Sequence, residues 1–218
     1  MAHLKNKPGF LFLLSILFLI TYVIDAQNMK SIKLPEPQTE IGKPLMQALK
    51  LRQSSRSFDT KPLPLQEISN LLWAAFGINR QESGKRTAPS AMNWQEIDIY
   101  VVMEEGTYIY KAKPNTLVPV VDGDLRALCG IQDFVKGAPL NLVYVSDLSR
   151  VSGGGEEDKR FFSAADCGFI AENVYLYCAS QGLAVVVRGI INRTKLSEAL
   201  KLQKGQTILL SQTVGYGK

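Results

Sequence analysis

"RFFSAADCGFIAENVYLYCASQGL", Arg160 to Leu183, is the stretch on which the fold turns. From Phe161 to Cys178 apolar side chains fall on nearly every face of a 3.6-residue period, and no proline interrupts the run. That pattern predicts the longest helix of the chain, buried almost all round and therefore central. Gly182 follows as its cap.

The flanking runs are strands. "APLNLVYVSD", Ala138 to Asp147, is nearly continuous in apolar residues and predicts a strand buried on both faces. "LAVVVRGI", Leu183 to Ile190, predicts another. Upstream, "EIDIYVVM" from Glu96 alternates and is β-branched, and "TYIYKA" follows it after the Glu104–Gly106 turn. "QTILLSQTVGYGK", Gln206 to Lys218, is the last strand with a glycine-bearing tail. "PLQEISNLLWAAFG" from Pro64 sets Ile68, Leu71, Leu72 and Ala75 on one helical face, with Gly77 as the stop. "LMQALKLRQ" from Leu45 is helical by period, and "NRTKLSEALKL" from Asn192 is a short helix with Thr194 and Ser197 near its start. "DLRALCGIQDFVKG", 124–137, makes one or two short helical turns. "RQESGKRTAPSAMNWQ", 80–95, and "VSGGGEEDKR", 151–160, read as loops, the second flexible. Together these elements predict an α+β fold: a mixed central β-sheet flanked by helices around one long central helix, in a single domain over 45–218.

Residues 27–44 are polar and proline-bearing and form an extended lead-in. Before them, Lys5 and Lys7, an uncharged run and a small residue at Ala26 make a secretory signal peptide over 1–26. The chain is then exported, periplasmic or secreted. If the segment were retained, residues 9–24 would anchor it to a membrane, although they fall short of the ~20 residues of a spanning helix.

The cut has a chemical consequence. The single histidine is His3. A chain that begins at Gln27 has none, which excludes Ser-His-Asp and Cys-His catalysis and histidine-bearing zinc sites. Catalysis must use other side chains or a cofactor. Cys129, Cys167 and Cys178 form no C-x-x-C pair. One disulfide with a leftover thiol is open to an exported chain, and Cys178 reads as a small core residue. The composition, 46% hydrophobic and 21% charged, is that of a globular protein. A net charge of +5, dispersed along the chain, suits small anionic ligands and is too weak for nucleic acid.

Four short stretches carry candidate chemistry. In "LRQSSRSFD", Arg52 and Arg56 are four residues apart, one helical turn, with Gln53 and Ser54 between them. Paired guanidinium forks hold phosphate, and a serine adds a donor; a solvated basic helix end is the plain alternative. "TAPSAMNWQ" sets Pro89, Ser90, Ala91, Asn93 and Gln95 in a turn before a strand, with two carboxamides that offer both a donor and an acceptor. "VVVRGI" ends a strand at Arg188 and Gly189, where glycine lets a backbone N–H approach a ligand. The tail "VGYGK" carries Gly215, Tyr216 and Lys218.

The order and spacing of these stretches resemble the nitroreductase family of FMN-dependent oxidoreductases: "R-x-S-x-R", then "P-S-A-x-N-x-Q", then the helix Asp166 to Leu183, then "V-G-Y". The resemblance spans about Leu45 to Tyr216. It implies a homodimer with FMN at each interface and hydride or electron transfer through the flavin, with NAD(P)H as a donor and a nitroaromatic, quinone, enone or azoline as substrate. By position, Arg52, Gln53, Ser54 and Arg56 would hold the phosphate and the pyrimidine edge. Pro89, Ser90, Ala91, Asn93 and Gln95 would line the ring from the partner subunit. Gly189 would offer its N–H near the flavin N5 with Arg188 beside it, and Gly215 and Tyr216 would close the phosphate end. No side chain is implied as a covalent nucleophile. The chain also resembles short members related to azoline-forming dehydrogenases, but their lysine–tyrosine catalytic base is assigned to no pair here; Lys136 and Tyr144 are the only residues to weigh for it. Three departures stand out: Ala184 where a second glycine is usual, a short segment at 124–137, and Tyr216 with Lys218 in the tail where many members have lysine or arginine pairs. They leave open a flavin-binding or flavin-free exported binding module that keeps the fold without turnover.

Overall fold

A computed structural model describes residues 29–218; the expected signal peptide, 1–26, lies outside the described residues. In chain order the elements are β1 (Ile32–Lys33), α1 (Leu45–Leu51), α2 (Leu65–Phe76), β2 (Ile78–Arg80), β3 (Lys85–Arg86), β4 (Ile97–Val102), β5 (Gly106–Lys111), β6 (Thr116–Asp122), α3 (Phe134–Gly137), β7 (Leu140–Asp147), α4 (Glu156–Gln181), β8 (Ala184–Arg188), α5 (Arg193–Ala199) and β9 (Gln206–Gly215).

Seven strands form one sheet in the order β1-β6-β5-β4-β7-β9-β8, and β2 and β3 form a separate hairpin. The α+β fold with its central sheet and long helix stands as read. In its pairings the sheet is antiparallel throughout the described residues, because short turns join β4, β5 and β6, and β7 and β9 return alongside. β7 sits mid-sheet, and Leu140 to Ser146 are all buried, as the unbroken apolar run requires. One face packs Cys167, Ile170, Val174 and Cys178 of α4 and Ile68, Leu71 and Leu72 of α2 against Ile97, Ile99, Leu142 and Tyr144. The other face is covered by Leu196 and Leu200 around α5 and by Cys129 and Val135. Side chains such as Ile170 and Val174, without measurable exposure, contribute about 1.5–3 kcal/mol each. All three cysteines are buried and free, so the disulfide option is closed.

The structure departs from the sequence reading in five places. Helix α1 stops at Leu51, so Arg52 to Arg56 are not a helical turn; Arg52 leaves the helix at ψ 121°. The stretch 151–160 is loop only as far as Gly155. Glu156, Glu157 and Asp158 open α4, where acidic groups complement the helix dipole and Asp158 accepts from the Gly155 N–H at 3.1 Å. The stretch 80–95 contains the β2–β3 hairpin and a 3₁₀ turn at Ala91–Asn93. Strand β6 was not foreseen, because Pro119 interrupts its pattern; β1 pairs only with Thr116 and Leu117, so the missing N–H leaves that pairing intact. Finally, α4 is not buried all round. Phe161 is 68% exposed and Phe169 49%, on the face turned away from the sheet.

Candidate active site

β8 is the last strand of the sheet, with an open edge. The segment after α1 runs along it. The Ser55 N–H donates to the Val185 carbonyl at 2.9 Å, the Asp59 N–H donates to the Tyr216 carbonyl at 2.9 Å, and Phe58 bridges to Gly217. Edge pairing explains why the helix ends: Ser54 and Ser55 are poor helix formers, and the open ladder offers their backbone an alternative partner. Three of the four sequence motifs, 52–56, 188–189 and 215–218, therefore meet at one sheet edge.

Tyr175 of α4 organises this edge. Its hydroxyl bonds Ser54 Oγ at 2.8 Å and accepts from the Val187 N–H at 2.9 Å. The Arg52 guanidinium lies 5.3 Å from the centre of its ring, a cation–π distance. Arg56 points elsewhere. With Gln132, Phe134, Arg188, Gly189 and Ile190 it borders a cavity of about 230 Å³. With Phe58, Asp133, Phe134 and Lys218 it borders a second of about 330 Å³. Phe134 borders both and packs on Phe58 at 5.4 Å. Gln53 faces a separate groove with Lys43 and Leu183. Tyr216 serves through its backbone, with its ring under Lys61. Gly215 is required by contact, since a Cβ there would lie 2.8 Å from Pro139 Cδ.

Arg188 is the unusual charge. It is buried, and its guanidinium donates only to neutral acceptors: Asn141 Oδ1 at 3.1 Å, Ser211 Oγ at 2.8 Å, the Cys129 carbonyl at 3.3 Å and Thr213 Oγ1. Its Nε has no partner, nor does the neighbouring buried Gln132 Oε1. Burial pushes its pKa down to about 10, which still leaves the side chain charged near neutrality. A buried cation without a carboxylate is costly, and this one lines a cavity that Arg56 also borders. Gly189 beside it is exposed, and a Cβ there would touch only Leu210 Cδ2 at 3.8 Å, so the chain itself does not fill that space.

The fourth motif lies elsewhere in the same chain. The Ala91 N–H donates to Asp166 Oδ2 at 2.8 Å. Asp166 and Tyr175 are nine residues apart on α4, about 13 Å along the axis. The turn is shaped by positive φ at Met92 (50°), Asn93 (57°) and Gln95 (51°). Ser90 Oγ accepts from the Gln95 N–H at 3.0 Å, and the Gln95 amide accepts from Arg86 Nε at 2.7 Å and donates to Asn93 Oδ1 at 3.1 Å. Ser90 and Gln95 thus shape the turn. Pro89, Met92 and Asn93 are exposed on it, away from the cleft at β8.

The sequence reading missed Tyr175 and Phe134. Tyr175 sits in the helix read as core, and only its hydroxyl, three residues before Cys178 on an apolar face, marked it as a positioning group. The base pair Lys136 and Tyr144 is not assembled. Tyr144 is fully buried, its hydroxyl donates to Gln212 Oε1 at 2.5 Å, and burial pushes its pKa well above the ordinary phenol; Lys136 is exposed on α3.

An antiparallel sheet packed on a long helix, with Arg56, Lys218 and the buried Arg188 grouped at its β8 edge, gives an α+β protein with a cationic cleft. Comparison narrows the class. Residues 49–216 match the model of the nitroreductase family, and the chain belongs to that family of oxidoreductases. A Methanocaldococcus jannaschii protein named as a nitroreductase is 31% identical over 188 residues, covering 78% of this chain and 94% of its own. A crystal structure from Ralstonia eutropha JMP134, also titled a nitroreductase, is 46% identical with a TM-score of 0.83 and covers 87% of this chain and 90% of that one. The NADPH:FMN oxidoreductase of Vibrio harveyi, solved with NAD⁺, shares the fold at 20% identity and a TM-score of 0.61, over 80% of this chain and 69% of its own.

Proposed function

We propose that this chain is an exported, FMN-dependent oxidoreductase of the nitroreductase type, with NAD(P)H as a donor and a small nitroaromatic, quinone, enone or azoline as substrate. The observation that carries the reading is the cleft at β8: Arg56, Lys218 and the buried Arg188 border two cavities that share Arg56 and Phe134, with Asp133 as the one acid among their lining residues. That donor set fits an anionic, partly aromatic ligand, and Phe134 and the open face of Gly189 suit a flat one. Bound FMN would supply the two-electron chemistry that none of these side chains provides. Arg52, Gln53, Ser54 and Arg56 would hold its phosphate and pyrimidine edge, with Tyr175 fixing Ser54 and Arg52. Gly189 would present backbone, and Arg188 would add positive potential where negative charge develops.

A homodimer completes the reading. Leu45, Met46 and Leu49 of α1 and Phe161 and Phe169 of α4 are large apolar side chains left exposed. In such a dimer the Pro89–Gln95 turn of one subunit would line the cleft of the other, as the family resemblance implies. Among the described residues no helix is long and apolar enough to cross a membrane.

Titration of the purified protein with FMN, followed by quenching of flavin fluorescence, tests the reading. Arg56→Ala is expected to weaken binding at least tenfold, because it leaves ligand charge unpaired. Equal affinity in wild type and variant would remove the cleft from the assignment.

A further inference from the structure

Beneath the Ser90–Gln95 turn lies a pair of carboxyl groups that the proposed reaction does not use. Glu96 is completely buried, and neither of its carboxylate oxygens has a hydrogen-bond donor. Asp166 of α4 is 3% exposed and accepts the Ala91 N–H. Among the described residues neither group is in an ion pair. Two buried carboxylates served by a single N–H cannot both be ionised at ordinary cost.

Arg86 of β3, a cation bonded to the same turn, gives its hydrogen bonds to Gln95 Oε1 at 2.7 Å and the Phe76 carbonyl at 2.8 Å, not to either carboxylate. Cys167, next on the helix, is neutral; burial and both carboxylates push its thiol upward. Arg150 reaches Glu96 only at the backbone carbonyl, 2.7 Å from Nη2, and its charge is taken by Asp98 and Asp147. Ser163, one turn before Asp166, and Ser146, paired with Ile97 across the sheet, are buried hydroxyls with no partner, so neither donates to Glu96.

We propose that Glu96 and Asp166 hold one proton between them and that this proton keeps the Ser90–Gln95 turn seated on α4. The two are positioning residues: they act on the turn through the Ala91 N–H. With the proton present, one carboxyl donates to the other and Asp166 still accepts from Ala91. With the proton lost, two negative charges share a dry site, and the turn, already carrying three positive-φ residues, gives way first. The direction agrees with the environment of Asp166, pushed up to about 6 by burial first and by Glu96 next, against the pull of the Ala91 N–H. A raised carboxyl favours the fold when protonated. Its contribution is complete below about pH 4 and is lost as pH rises through about 6.

The test uses the protein without flavin and so does not depend on the assigned activity. Thermal melting and tryptophan emission are recorded from pH 4 to 8 for wild type, Glu96→Gln and Asp166→Asn. Trp94 reports the turn, since it lies edge-on to Phe162 at 6.1 Å and donates to Ser152. In wild type the folded-to-unfolded ratio, relative to Asp166→Asn, is expected to fall about tenfold per pH unit between about 4 and 6, roughly hundredfold in all. The emission shift should follow the same midpoint. Glu96→Gln should move the midpoint down, because the neighbouring charge is gone, and Asp166→Asn should abolish the step. An unchanged midpoint in Glu96→Gln overturns the shared proton. If that variant does not fold, wild-type Trp94 emission that stays constant across the range overturns the proposal on its own.

Discussion

Tyr175→Phe isolates the hydroxyl that ties the cleft together. The ring stays, and with it the apolar packing and the Arg52 stacking at 5.3 Å. What is lost is the bond to Ser54 Oγ at 2.8 Å and the bond from the Val187 N–H at 2.9 Å. Two neutral hydrogen bonds at about 1 kcal/mol each amount to about 2 kcal/mol. For a domain of this size that lowers Tm by roughly 4–8 °C. The functional effect is separate. Ser54 loses its anchor, and β8 loses its tie to α4 one residue before Arg188, so FMN affinity is expected to fall about tenfold, equivalent to about 1.4 kcal/mol. The assays are calorimetric melting of the flavin-free protein and fluorescence titration with FMN. A variant that melts within 1–2 °C of wild type and binds FMN equally would refute the claim that Tyr175 organises the site.

Three further outcomes follow from the same geometry. Gly189→Ala should fold normally, since its Cβ meets only Leu210 at 3.8 Å, yet lose flavin; a destabilised variant would show that the chain itself needs that glycine. Gly215→Ala should lose about 1–3 kcal/mol in denaturant unfolding, because the new Cβ falls 2.8 Å from Pro139 Cδ and the core must shift. Thiol titration should find no reactive cysteine in the native protein and three after unfolding, because Cys129, Cys167 and Cys178 are buried and burial raises each thiol; rapid labelling of the native state would contradict that packing.

Much of this fold is legible in the sequence because burial imposes period. Ile68, Leu71, Leu72 and Ala75 mark α2 without ambiguity, and the unbroken run at Leu140–Val145 marks a strand covered on both faces. What the pattern does not carry is partnership. Arg52 and Arg56 stand one helical turn apart in number, but the open edge of β8 takes the backbone of Ser55 and draws the segment straight. The aromatic residues of α4 read as buried because an apolar side chain left at the surface is indistinguishable, in sequence, from one facing the core. Arg188 was legible as a ligand residue at a strand end. That its charge would lie buried among Asn141, Ser211 and Thr213 was not, because those acceptors come from two other strands. The site motifs were found by their order along the chain, and the structure joins three of them through contacts that sequence spacing does not contain.

The most direct test is the visible absorption spectrum of the purified chain, residues 27–218, before and after heat release of any chromophore and after anaerobic addition of NADH or NADPH. The expected result is a flavin band, FMN as the released species, and bleaching by a nicotinamide donor. A chain that is colourless as purified and remains so after incubation with FMN would contradict the account, and would leave a family member that keeps the fold without the cofactor.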